Sequence, residues 1–497
     1  MNVKNSNMSL WNRFINFMAS QGYLYIGLLL GIIIIYKLIL LKGIMMATLF
    51  ACLPILLLAL GWFIKNPSHS FIALYVLNYV IMGINRYVPL KSGLIMTSLT
   101  LALMVLLLLR NNYQALGFAK AKNSLTFLWS IWLIYCLFEV FNPSAMFEPW
   151  SIAFTTYALY PFVMAICIPS LFPKYHHLKL MLMLLAFLTL LASAKGYWQR
   201  NRGFDRAELY WLYVGGGAST HLIYTGVRYF SFFPDAANFG TGMGFAMIVF
   251  GISAAYVKNK WLKIYFAIAA LAGGYGMLIA GTRSAMAVPF AGITCFAVLS
   301  KNYKGALTGI LILIAAYFFF NYTNIGNDNG LIRRMRTAFN FNDASFQVRK
   351  KNQEQLKTYM ASHPFGVGLG LGGGKAKRFK PKAFISQVPT DSWLVMTWVE
   401  TGIIGLILYM GIIMAILARS AYIIMFKLKN KELKGVCSAL LSGIFGMVVS
   451  SYGNEVLSYP NGMIVFTAMA FIYMSRYYDK ELEQTDNKQL TPHEQPA

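Results

Sequence analysis

The sequence predicts an all-α polytopic membrane protein with about fourteen transmembrane helices. Two observations carry this. Of 497 residues, 58% are hydrophobic and only 12% charged, more apolar surface than a soluble chain of this size could hide. Apolar runs of roughly 20 residues, the length that crosses a bilayer, also recur from end to end.

The opening stretch MNVKNSNMSLWNRFINFMAS has no small-residue cleavage site and reads as an amphipathic lead-in on the membrane surface. The spans then fall near 22–39, 44–63, 70–85, 92–109, 125–141, 150–171, 178–197, 238–257, 262–281, 284–300, 304–321, 392–417, 435–453 and 458–475. The sequence GTRSA breaks what would otherwise be one long run over 262–300. All of 1–497 reads as one polytopic domain with two long loops, 198–237 and 322–391; the second, strongly basic and carrying short helices, joins the eleventh and twelfth spans.

Orientation follows from lysine and arginine in the short loops. RNNYQALGFAKAKNS, FPKYHHLK, VKNKWLK and ARSAYIIMFKLKNKELKG would lie inside. FNPSAMFEP and SYGNEVLSYP carry neither residue and would lie outside. Both ends of the chain are then cytoplasmic and both long loops external. The working face is then expected on the outer side, and the resemblance given below implies the bacterial inner membrane with that face toward the periplasm.

The net charge of +26 would suggest nucleic acid in a soluble protein. In a membrane protein its placement matters more, and no nucleic-acid partner is expected. The second long loop concentrates basic residues beside the outer interface, which implies an anionic ligand there. Its run KAKRFKPK at 375–382 fits simple attraction to lipid head groups. The five cysteines lie in apolar segments without CxxC spacing, so they read as small core residues, and neither metal nor cofactor is expected.

Three arginines stand apart. Arg228 lies in RYFSFFPDAANFG, Arg283 in IAGTRSAMA and Arg349 in ASFQVRKKNQEQLK. Taken singly, Arg228 and Arg349 read most simply as interface anchors. Arg283 sits between two apolar runs, where a charge is functional by default. Converging at one interface, their planar forks would bind a diphosphate. The run GVGLGLGGG at 366–374 lacks the GK[ST] ending of a P-loop. It reads as a flexible turn that lets backbone approach a ligand or the membrane.

Two acids enter the twelfth span in TDSWLVMTWVETGIIG. A carboxylate in lipid costs roughly 2.5–3.5 kcal/mol on insertion scales. Asp391 lies at the mouth, where it or Ser392 could cap the helix. Glu400 is nine residues on, about 13 Å deeper. Asp391 is the candidate base. Glu400, and Asp235 in the first loop, are expected to be structural counter-ions, with Glu400 holding an arginine.

Outside the cell there is no ATP and no nucleotide sugar, so an external enzyme needs a donor that carries its leaving group across the membrane. A polyprenyl diphosphate does so. Once its charge is neutralised, diphosphate leaves without a general acid, and a single base suffices for the acceptor hydroxyl.

In this order, RxxSFFPDAANF, GTRSA, SFQVR…HPFGVGLG and DSWLVMTWVETGIIG resemble the O-antigen ligase and O-antigen polymerase superfamily of bacterial envelope enzymes. The resemblance covers roughly 225–410. It implies a metal-independent, inverting membrane glycosyltransferase that takes undecaprenyl-diphosphate-linked glycan as donor and a second glycan as acceptor, with Arg228, Arg283 and Arg349 where the family has diphosphate-binding arginines. Ligases of the family typically carry a histidine where the chain enters the helix after the long loop. Here Thr390-Asp391-Ser392 stands at that place, as an aspartate often does in polymerases. His363 lies elsewhere and reads as an ordinary loop residue. The expected function is therefore polymerisation of lipid-linked repeat units for O-antigen, capsule or exopolysaccharide, with a chain-length regulator as a possible partner. The ligase that transfers finished polymer to lipid A-core is the alternative. A lipid-linked oligosaccharide flippase is the more distant one, because the two halves show none of the similarity such transporters have.

Overall fold

The computed structural model describes Lys37 and residues 61–111, 118–223, 226–300, 303–328, 330–336, 344–458 and 460–490. Residues 1–70 and 71–497 form two compact units. In the first, the backbone is helical over 61–65 and broken at Asn66, whose side chain donates to the Trp62 carbonyl at 3.0 Å. The expected spans at 22–39 and over most of 44–63, with Cys52, lie outside the described residues.

Long helices dominate the rest: α1 (Pro67–Tyr87), α2 (Ser92–Asn111), α3 (Ser124–Phe138), α4 (Phe147–Leu171, with a π turn at 155–159), α5 (Tyr175–Arg202), α6 (Ala236–Tyr256), α7 (Lys260–Ile279), α8 (Arg283–Ser300), α9 (Tyr303–Tyr322), α10 (Ala344–Met360), α11 (Trp393–Phe426), α12 (Lys431–Ser450) and α13 (Asn461–Leu490). Among the described residues, ten helices are long and apolar enough to cross a membrane, so the chain is an all-α polytopic membrane protein. Each expected span from 70–85 onward coincides with a helix. Two fall short of the spanning measure: the apolar part of α9 is only Gly309–Tyr322, and α13 runs on into the charged sequence DKELEQTDNK.

Asn123, Asp235, Asn259, Ser392 and Asn430 cap α3, α6, α7, α11 and α12, each accepting from backbone amides of the first turn. Helices α6, α8 and α12 pack on one another, and α6 also packs on α7. With lipid on the outside, close backbone approach replaces the hydrophobic effect as the glue. At Gly446 of α12 a Cβ would lie 2.4 Å from the Val288 carbonyl of α8.

The lysine-rich turns share one end. There Glu432 accepts from Tyr175 Oη at 3.1 Å and pairs with Lys179 at 3.0 Å, while Asp479 accepts from the Lys429 and Asn430 amides, both at 3.0 Å. The two long loops meet at the other end. The first, between α5 and α6, holds a two-turn helix Arg206–Tyr213 and a hairpin of β1 (Leu222–Ile223) and β2 (Gly226–Val227). The second holds Gly330–Arg336, α10, a 3-10 stretch Gly373–Arg378 and Phe384–Gln387.

Candidate active site

Where the long loops meet there is a cavity of about 640 Å³. Its wall combines Arg228, Asp235 and the start of α6 from the first loop, Lys375 and Asp391 from the second, and Asn454, Glu455 and Ser458 from the turn between α12 and α13.

Arg86, near the end of α1, organises the first loop. Its guanidinium lies over the Trp211 and Phe230 rings and donates to the Ser231, Phe233 and Pro234 carbonyls. Ser231 adopts a left-handed φ of 51°, a strained conformation for a non-glycine residue that persists only when its surroundings over-determine it. Here the Ser231 amide donates to Gln199 at 2.9 Å and its hydroxyl to the Ala192 carbonyl at 2.7 Å.

Arg228 donates to the Thr220 carbonyl at 3.0 Å and to Thr282 Oγ1 at 2.6 Å, so it ties the hairpin to the GTRSA break that Arg283 occupies. Its Nε is buried and has no acceptor among the described residues, an unmet donor at the edge of the cavity. Burial lowers the pKa of Arg228, Asp235 supports its charge, and the charges of Arg283 and Arg349 oppose it. Arg283 and Arg349 thus lie within electrostatic reach of Arg228, although neither is part of the cavity wall proper.

Asp391 has a left-handed φ of 50°, a conformation aspartate tolerates better than most residues. Its neighbours pin it there. Thr390 donates to Glu455 at 3.0 Å, Ser392 to the Ser451 carbonyl at 3.1 Å, and the Trp393 amide to the same carbonyl at 3.0 Å. The helix cap is Ser392, so Asp391 is spared that task. Among the described residues its carboxylate makes no hydrogen bond. Partial loss of hydration raises its pKa, Arg349 lowers it and Glu455 raises it further. The other cavity acids are engaged: Asp235 caps α6 through Asn238, and Glu455 pairs with Lys375.

Glu400 departs from expectation. It is 1% exposed, and among the described residues its carboxylate accepts from the Gly372 amide through Oε1 at 3.2 Å, while Oε2 finds no hydrogen-bond partner. It holds the glycine loop rather than an arginine. The helix explains why. At Gly402, with φ 70° and ψ −175°, α11 breaks. The break frees carbonyls that must be satisfied inside protein. Val367 and Gly368 amides take the Val399 and Glu400 carbonyls at 3.0 and 3.1 Å, and Tyr135 Oη takes that of Thr401 at 2.8 Å. A Cβ on Gly366 would lie 2.4 Å from the Glu400 carbonyl. GVGLGLGGG is therefore a wedge seated in the broken helix, and the backbone it approaches is that of α11.

Part of the exposed basic run 375–382 is engaged by the protein itself. Lys375 pairs with Glu455, Arg378 with Glu148 at 3.2 Å, and Lys380 donates to the Ser144 carbonyl at 2.7 Å. The last two contacts tie the stretch after the glycine wedge to α4 and the turn before it.

His363 stacks on Tyr359 and bonds to its carbonyl, away from the cavity. His221 is in the cavity wall, 2% exposed, and sequence reasoning passed over it. Both ring nitrogens are used: Nε2 accepts from the Ala236 amide at 3.1 Å, and Nδ1 faces the Gly217 carbonyl at 2.9 Å. Burial pushes its pKa down to about 4. It is a neutral structural histidine, not a base. Glu455 was also overlooked, although it is the one acid in SYGNEVLSYP and acids are scarce in this chain.

Residues 266–410 match the family model described as O-antigen ligase. The matched stretch contains Arg283, Arg349, the glycine wedge, Asp391 and Glu400, and over it the resemblance to the O-antigen ligase and polymerase superfamily is shown. Arg228, Asp235 and Glu455 lie outside it. No curated protein matches the chain.

Proposed function

We propose that the protein is a membrane glycosyltransferase of the polymerase type, joining undecaprenyl-diphosphate-linked oligosaccharide repeat units at the periplasmic face of the inner membrane. In this reading the chain has fourteen spans with both ends in the cytoplasm. The observation that carries the proposal is the pairing, in one cavity, of an arginine with a nitrogen that no described residue accepts from and an aspartate whose carboxylate makes no hydrogen bond to a described residue.

Arg228, supported by the fields of Arg283 and Arg349, neutralises the donor diphosphate. Asp391 takes the proton of an acceptor hydroxyl. The new bond forms from that oxygen to the anomeric carbon while the carbon–oxygen bond to diphosphate breaks, with inversion. Charge builds on the leaving group, so fixed cations aimed there stabilise the transition state more than the ground state.

The description of the matched family favours a second reading, a ligase that moves finished polymer to lipid A-core. Both readings use the same cavity and differ in acceptor. The test is a gel of surface and lipid-linked glycans from a strain lacking the gene, complemented with the natural chain or with Arg283→Ala. Single repeat units without a ladder identify a polymerase. Full-length polymer retained on its carrier identifies a ligase. A normal ladder with Arg283→Ala would sink the arginine site.

A further inference from the structure

Lys375 and Glu455 face each other across the cavity wall as an ion pair, and neither is assigned a role by the arginine–aspartate chemistry above. Resting on that reading, we propose that Lys375 is a further ligand for the donor diphosphate, held by Glu455 until the donor arrives.

Four observations on the residues carry this. First, Lys375 lines the same cavity as Arg228 and Asp391, whereas Arg378 and Lys380 of the same run are committed to the α4 side. Second, its position is fixed from below. It follows Gly373, at φ 64°, where a Cβ would lie 2.8 Å from Thr390 Oγ1. Just before that, Gly372 is tied to Glu400. Third, the Lys375 side chain is 61% exposed along its length, and apart from Glu455 its ammonium meets only the weak Met396 sulfur acceptor at 3.8 Å among the described residues, so a stronger anion has little to displace. Fourth, Glu455 does not depend on Lys375 alone, since its other oxygen accepts from Thr390 at 3.0 Å. It can release the lysine and keep a partner. A diphosphate is a stronger partner for an ammonium than one carboxylate, because it offers more charge and more acceptor oxygens. The swap would leave Glu455 beside Asp391 without its lysine, so arrival of the donor and the field at the base are linked through one side chain.

The test uses the full-length chain purified in detergent micelles, with inorganic pyrophosphate as probe, its binding read by 31P line broadening at fixed ionic strength. Lys375→Met should weaken binding by about tenfold or more, the scale of a lost charge-assisted hydrogen bond, and Lys375→Arg should restore most of it. Lys377→Met, an exposed neighbour outside the cavity wall, controls for loss of charge alone. Glu455→Gln should tighten binding, and that gain should vanish in the Lys375→Met background, because Glu455 acts through the lysine. Additive effects would overturn the holding role. If Arg228→Ala weakens binding and Lys375→Met does not, this inference fails while the arginine site stands. If the natural chain binds no pyrophosphate, both fail. Displacement of the Lys375-dependent signal by phosphatidylglycerol in mixed micelles would reassign the lysine to a lipid head group and overturn the proposal.

Discussion

Replacing Gly402 by alanine should unseat the glycine wedge without unfolding the bundle. The residue sits at φ 70° and ψ −175°, a region essentially restricted to glycine and costing other residues about 1–3 kcal/mol. The added Cβ would also lie 1.9 Å from the Pro364 carbonyl oxygen and 2.5 Å from the Gly366 amide. Both are backbone, so neither can rotate away. Relief requires the wedge to withdraw and break the Val367–Val399 and Gly368–Glu400 bonds. Two carbonyls are then left unpaired in a dry setting, at about 1–3 kcal/mol each. The sum, roughly 3–9 kcal/mol, rivals the whole stability of many domains, commonly about 5–15 kcal/mol. It falls on a local unit that can open by itself. The assay is hydrogen exchange of the purified variant followed over 364–374, together with the glycan ladder in cells. Exchange there should rise at least about a hundredfold, α6 and α12 should stay protected, and the ladder should disappear with the protein still inserted. Gly366→Ala strikes the same contact from the other side, so the double variant should cost less than the two singles added. Native protection at 364–374 in Gly402→Ala would refute the account of the break.

Three other perturbations test the site. As a base Asp391 must be ionised, and its raised pKa places the acid limb of activity above the ordinary carboxylate range; Arg349→Gln should move that limb to higher pH and Glu455→Gln to lower pH in a pH–rate profile. The same shift means that ionising Asp391 costs folding stability, a loss that enters as pH rises past the ordinary carboxylate value. His221 is held neutral with a pKa near 4, so the unfolded chain takes up its proton first. Its contribution should fall by up to about 1.4 kcal/mol per pH unit between pH 6.5 and 4, a slope that His221→Gln removes from thermal melts. Arg86→Lys keeps the charge but loses the planar fork that serves three carbonyls; limited proteolysis should then cut within 204–235 at least about tenfold faster, the scale of one such bond.

Ten of the expected spans were legible because about 20 apolar residues in a row have few other uses. Arg228, Arg283 and Asp391 stood out because a charge in such a chain needs a reason, and the fold brings Arg228 and Asp391 into one cavity wall. The partners were not. Glu400 looked like a counter-ion because a buried carboxylate usually needs a cation, and no pattern in the sequence says that backbone amides from a loop 28 residues earlier supply part of what it needs. The glycines announced a close approach but not what was approached. Lys375 was hidden by its neighbours. In KAKRFKPK every cation looks alike, and only the fold turns one toward the cavity and others toward α4.

The same geometry explains why an enzyme of this kind would put irregular backbone at membrane depth. A helix that ran unbroken through Gly402 would satisfy its own carbonyls and offer the second loop nothing to grip. The break exposes three successive carbonyls, at 399, 400 and 401, and the wedge and Tyr135 bind them. The loop is thereby anchored to a span rather than laid over the surface. Lys375 hangs from the end of this wedge, and Asp391 lies at the mouth of the same helix. A cation and an acid drawn from one anchored unit hold a fixed spacing. Rigidity of this sort is worth more than one extra contact, since a misplacement of about 1 Å can cost a hundredfold in rate.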